Sequence, residues 1–195
     1  PLSELAVSAS YNAAVNYERA GNLAKALTMY AVVLRNEDKK HSGLRRDSLK
    51  FSALAYEKTG QYVKAAEAYE KYAIQNPQDP KTPDFYFNAA VIREGMYFFT
   101  AALRNYQKYL DKSKRTDRWE AIYLMAGIWE RRGNFSKAVD LYEKYVMSPS
   151  QNAAGVVEAI HKVAVLNEKM GRKAQAQEWY QKTVRIQKRF KLRGQ

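Results

Sequence analysis

The chain has 195 residues, of which 46% are hydrophobic, no cysteine and a formal net charge of +13. That is enough apolar chain to bury a core; the missing cysteines exclude a disulfide framework and a thiolate metal site, and no run approaches the ~20 apolar residues that cross a bilayer. The charge favours an acidic partner, nucleic acid or an anionic membrane surface. Cytoplasm and periplasm both stay open. No signal peptide precedes the first helix, and a start at Pro1 leaves room for a further N-terminal segment.

In chain order, helical periodicity predicts a first helix over residues 1–20 and a partner from Leu23 to about Asn36. Asn36 to Asp47, NEDKKHSGLRRD, is polar, holds Gly43 and is the most loop-like stretch. Helices over about 47–59 and 62–75 follow, closed by Pro77, Pro80 and Pro83. A third pair is predicted at 82–95 and 98–112, with KSKRTD (112–117) as a basic exit. A fourth spans about 118–147. SPSQNAAG (148–155) separates it from a last pair at 156–169 and 174–191.

The ten helices form five copies of one unit. Four glycines, Gly21, Gly60, Gly133 and Gly171, stand where the first helix of a pair must stop, and Tyr97 takes that place in the third copy. The five positions lie 39, 37, 36 and 38 residues apart. Such a turn passes through positive φ, which is cheap only for glycine, so REGMYFF leaves the third turn's geometry open. Seven residues before the turn stand Ala14, Ala53, Ala90, Ala126 and Ala164; five after it stand Ala26, Ala65, Ala102, Ala138 and Ala176. Nine after it stand Tyr30, Tyr69, Tyr106, Tyr142 and Tyr180. Small residues let the paired helices touch, and the aromatic fills the space toward the next pair. In the fifth copy Asn167 and Lys173 replace aromatics, as a water-facing terminal unit should.

This pattern resembles the tetratricopeptide repeat family, in its bacterial form, over roughly residues 7–190. The resemblance implies an all-α fold, an α-α superhelix or solenoid of five antiparallel helical hairpins, in a single domain over 1–195 with units near 7–45, 46–82, 83–117, 118–153 and 154–193. It implies a non-catalytic protein-interaction scaffold that binds a protein or peptide along a concave groove lined by the first helix of each hairpin. Carried over position by position, the groove holds Lys50, Leu54, Phe87, Val91, Glu94, Tyr123, Gly127 and Glu130. A carboxylate clamp known in some relatives is only partly matched, by Asn12, Asn88 and Lys50. Phrases such as YNAAVNYERAG and FNAAVIREG look like repeat arrays beside gliding-motility and envelope machinery, which implies a polarity or motility regulator, a small GTPase among them, as candidate partner.

Three residues before each turn stands a glutamate: Glu18, Glu57, Glu94, Glu130 and Glu168. Two readings stay open for this row, a ligand surface suited to a basic and apolar segment, or pairing with basic residues of the adjacent hairpin that keeps units in register. Gly127 leaves a notch in the groove floor. No HExxH, GxSxG, GxGxxG or GxxxxGK[ST] string occurs and the two histidines, His41 and His161, are far apart, so neither catalysis nor a cofactor is expected. After Glu178 no acidic residue occurs; Lys182, Arg185, Arg189 and Arg193 line the side opposite Trp179, Thr183, Ile186 and Phe190. That end reads as a solvating cap or as an anion patch. The alternative function is therefore a basic helical-repeat protein binding nucleic acid or anionic surfaces.

Overall fold

The computed structural model describes residues 4–36, 39–114, 118–148 and 153–193, with the backbone alone for 186–193. Among them are ten α-helices and no strand: α1 Glu4–Arg19, α2 Leu23–Arg35, α3 Ser42–Lys58, α4 Tyr62–Gln75, α5 Thr82–Gly95, α6 Phe99–Lys112, α7 Arg118–Arg131, α8 Phe135–Val146, α9 Ala153–Lys169 and α10 Lys173–Arg193. Consecutive helices pair as antiparallel hairpins, so the fold is all-α and of the expected class. The chain divides into two compact units inside α6, residues 1–108 and 109–195.

Four of the five hairpins match the expected bounds closely; α3 does not. It begins at Ser42, after a 3-10 turn at Lys39–His41, and so takes up half of the stretch read as loop. Tertiary packing overrides the polar composition there, because His41, Ser48 and Leu49 are buried. Pro83 falls in the first turn of α5, the one helical place that tolerates proline. Asn167 is a second departure. It is buried, and its Nδ2 donates to the Val163 carbonyl at 2.9 Å rather than facing water. Half of each of the KSKRTD and SPSQNAAG exits, the inward side chains of Ile186 and Phe190, and the charged ends of Arg189 and Arg193 lie outside the described residues or side chains.

All ten repeat alanines are buried. A methyl at each crossing brings two backbones together with no larger side chain between them, and the space beyond is closed by Tyr30, Tyr69 and Tyr106 in the first unit and Tyr142 in the second, all fully enclosed. Tyr180 is half-buried. Hairpins are also tied laterally. In the first unit the Arg93 guanidinium donates twice to Glu70, Nε at 3.1 Å and Nη2 at 2.9 Å, and Asn105 Nδ2 adds a third bond at 2.7 Å. Burial alone would raise the Glu70 carboxyl, but those three donors outweigh it and hold it below the usual carboxylate range.

The turns are made by main-chain bonds. At Gly133 the N–H donates to the Glu130 carbonyl at 3.0 Å and the Asn134 N–H to the Trp129 carbonyl at 3.0 Å, a six-residue closure. The third hairpin closes identically, Tyr97 N–H to Glu94 O at 2.9 Å and Phe98 N–H to Arg93 O at 2.8 Å, so Tyr97 is forced to φ 62° where the four glycines sit at 71° to 75°. A tyrosine in that left-handed well costs about 1–2 kcal/mol.

Two stability measurements test this account. Tyr97→Gly should raise the urea-derived unfolding free energy by about 1 kcal/mol, since it removes that cost without touching the core. Ala53→Leu should lower it by about 1–3 kcal/mol through overpacking of the α3–α4 crossing.

Candidate functional site

The first two hairpins enclose an open cleft of about 620 Å³, a size typical of small-ligand and peptide sites. Tyr11, Val15 and Glu18 of α1 form one wall, Phe51 and Lys58 of α3 the other, and Arg19 and Leu23 close the turn end. The floor is aromatic: Tyr11 lies 6.2 Å from Tyr30, which stacks on Phe51 at 6.1 Å and 18°. Glu18 is held from within. Its Oε2 accepts from the Tyr30 hydroxyl at 2.7 Å. Arg19 and Lys58 are exposed and, among the described residues, in no ion pair. An apolar floor with two free cations at the rim suits a ligand that has an apolar body and a carboxylate or other anionic group.

The same positions recur in the other hairpins. Every glutamate of the row accepts from the tyrosine twelve residues on: Tyr69 to Glu57 at 2.6 Å, Tyr106 to Glu94 at 2.7 Å, Tyr142 to Glu130 at 3.0 Å and Tyr180 to Glu168 at 2.7 Å. Pairing with an adjacent hairpin occurs at Glu130, where Lys162 Nζ lies 3.1 and 3.2 Å from its two oxygens. The row thus has a structural use that spacing did not suggest, a bond inside each hairpin between its first and second helix.

Of the predicted groove residues, Lys50, Leu54, Phe87, Val91 and Glu94 belong to the first unit. Lys50 extends over the Phe51 ring, 5.3 Å from its centroid. Phe87 meets Tyr106 edge-on at 5.7 Å, and Val91 is exposed. Tyr123, Gly127 and Glu130 belong to the second unit. There the Tyr123 ring packs on Tyr142 and Tyr145 at 5.3 and 5.1 Å, and its hydroxyl bonds Glu158. The notch at Gly127 is shallow: a methyl there would stand 3.7 Å from the Tyr142 hydroxyl, an ordinary contact. Phe51, one residue past the repeated row, was not singled out by the sequence, and its only signal is that it directly follows Lys50. Of the basic end, Lys182 and Arg185 are exposed, and Lys182 Nζ sits 3.8 Å from the centre of the Trp179 ring. No three metal-ligating side chains gather among the described residues, and no helix there is long and apolar enough to cross a membrane.

Antiparallel hairpins with alanine crossings, a six-residue turn closure and an aromatic in the second helix define a helical-repeat protein of the tetratricopeptide kind. The tetratricopeptide repeat pattern matches residues 11–80 and 95–154, and the chain belongs to that family. No curated protein matches it. Solved structures share the fold: MamA, with a TM-score of 0.61 at 18% identity over 90% of this chain and 95% of its own; the near-identical repeats of a putative kinesin light chain from Podosopora anserina, 0.59 at 18% over 94% and 96%; and YrrB, described as a TPR protein with an unusual peptide-binding site, 0.60 at 16% over 91% and 84%.

The tyrosine–glutamate bonds carry a pH signature. Burial first, then the carboxylate partner, pushes the phenols of Tyr30, Tyr69 and Tyr142 above their ordinary value; at Tyr180 the Glu168 bond leads. Tyr72, buried and bonded to Asp79 at 2.6 Å, is pushed up to about 12. Each phenol keeps its proton longer folded than unfolded, so its contribution is complete below the unfolded value of about 10 and is lost as pH rises beyond it. Stability measured against pH should therefore fall steeply above about pH 10. Replacing Tyr30 and Tyr69 together by Phe should flatten that fall and cost about 1 kcal/mol per hydroxyl at neutral pH.

Proposed function

We propose that the chain is a non-catalytic scaffold and that its partner, a protein, seats an extended or helical segment in the cleft of the first two hairpins. The observation that carries this reading is the aromatic cleft rimmed by Arg19 and Lys58, two cations with no partner of their own. A monomer gains nothing in stability from an open apolar cavity of that size, whereas a partner side chain would bury it. YrrB, the structural neighbour with a peptide-binding site, supports a peptide ligand for this fold. The rim favours an acidic and apolar segment. A basic segment would meet glutamates that each already accept a tyrosine hydroxyl at one oxygen, Oε2. The predicted positions Lys50, Leu54, Phe87, Val91 and Glu94 continue the same face of the first unit, and Tyr123, Gly127 and Glu130 form the corresponding face of the second. The resemblance to motility and envelope arrays points to a polarity or motility complex as the setting, with a small GTPase as candidate partner.

A photo-crosslinking residue at Val15 identifies the partner in the native cell. Arg19→Glu with Lys58→Glu should then weaken binding to that partner by about tenfold or more with an unchanged melting temperature. Affinity within about threefold of the parent would remove the cleft from consideration.

A further inference from the structure

The five turns share a composition of which the cleft engages only the Arg19 and Lys58 cations. Counting from two residues before each turn position to four after it, residues 19–25, 58–64, 95–101, 131–137 and 169–175 hold ten lysines and arginines and no aspartate or glutamate. Arg19, Lys25, Lys58 and Lys64 belong to the first unit, and all four are exposed. The nearest carboxylates, Glu18, Glu57 and Glu94, lie one residue further inside, and each accepts from its tyrosine.

The third turn departs from the rest in a consistent direction. Where its neighbours carry a cation it has Gly95 and Ala101, and where they carry glycine and a polar residue it has Tyr97 and Phe98. Tyr97 is 75% exposed and Phe98 48% exposed, while the adjacent turn exposes Tyr62 at 51% and Val63 at 41%. These two turns share one edge of the first unit: Tyr72 stacks on Phe85 at 4.0 Å and Glu70 pairs with Arg93, so α4 and α5 run antiparallel and the start of α4 lies beside the end of α5. Lys58 and Gly21 line the same cleft, which puts the first turn on that edge too. An aromatic held outward in a strained left-handed conformation serves neither the core nor solubility, and strain of this sort clusters at binding surfaces.

We propose that this turn edge of the first unit docks on an anionic membrane surface, with Tyr97, Phe98, Tyr62 and Val63 entering the headgroup layer and Lys25, Lys58, Lys64 and Arg19 facing lipid phosphates. Charge complementarity selects that occupant, because the three turn segments on this edge carry cations and apolar side chains and no carboxylate. Aliphatic Val63 and the tyrosine hydroxyls suit the boundary between headgroup and acyl chain. Base stacking fits less well, since the Phe98 ring lies under the Arg93 guanidinium at 6.0 Å and Tyr97 is turned edge-on to Phe99 at 5.8 Å.

Sedimentation of the whole chain with vesicles tests the proposal. Phosphatidylcholine vesicles containing phosphatidylglycerol should bind it at least about tenfold more tightly than phosphatidylcholine alone, and salt should weaken the binding. Tyr97→Gly with Phe98→Asn copies the first and fourth turns, should fold at least as well as the parent, and should weaken binding about fivefold or more. Lys25→Gln with Lys64→Gln, both outside the partner cleft, should weaken it about tenfold or more. Equal affinity for the two vesicles, no affinity for the anionic ones, or either variant binding like the parent with its circular dichroism unchanged overturns the proposal. Oligonucleotide binding that excludes vesicles would do so as well, by giving the edge to nucleic acid.

Discussion

A hydrogen bond from a tyrosine hydroxyl, buried in the first four hairpins, to a glutamate twelve residues earlier occurs in every hairpin, and the rest of each hairpin is arranged around it. It spans the two helices just inside the turn, where the alanine crossing has brought their backbones together. An alanine alone would leave the crossing free to slide; a phenol anchored to a carboxylate fixes the axial register of one helix on the other. At Tyr30 and Tyr69 the same side chain also packs on the following hairpin, through Phe51 and Phe85, so one residue joins the internal geometry of a hairpin to its stacking. A buried hydroxyl without that acceptor would itself be a cost, which makes tyrosine at this position dependent on glutamate at the other.

This dependence shapes what the surface can bind. Each carboxylate of the row is tied to a tyrosine hydroxyl one residue inside the turn, and the turn segments beyond it carry cations and aromatics without a carboxylate. The cleft of the first unit inherits the result: Glu18 belongs to Tyr30, and Arg19, its neighbour in sequence, is left without an acid. A face that reads as acidic when residues are counted along the chain is therefore presented to a ligand as apolar and basic.

The hairpins, their alanines and their closing tyrosines were legible in the sequence because each obeys a local rule with a fixed spacing. The start of α3 was not, since its polar first turns are held by burial of His41 and Ser48, a tertiary effect. Nor was the partner of the glutamate row. Spacing placed tyrosine in the core as an aromatic and glutamate on the surface as a charge, and the hydroxyl that joins them belongs to neither description. The Glu70–Arg93–Asn105 brace has no periodic signal at all, for among the described residues it occurs in a single pair of hairpins. The cleft likewise depends on Phe51, which stands off the repeated positions.

The turns are closed by main-chain groups, with side chains adding an Asn22 or Asn134 cap at the first and fourth turns and, at the second, the Thr59 hydroxyl on the Ala55 and Tyr56 carbonyls. The third hairpin demonstrates the outcome, keeping the common closure with an aromatic sequence in place of the glycine one. Seven residues at each turn are in effect a cassette, free to change charge or hydrophobicity while the helices beneath stay as they are. A repeat array built this way can acquire a new edge specificity one turn at a time, by drift in segments whose path is held mainly by the backbone and which bear a change such as Tyr97 at a cost of about 1–2 kcal/mol.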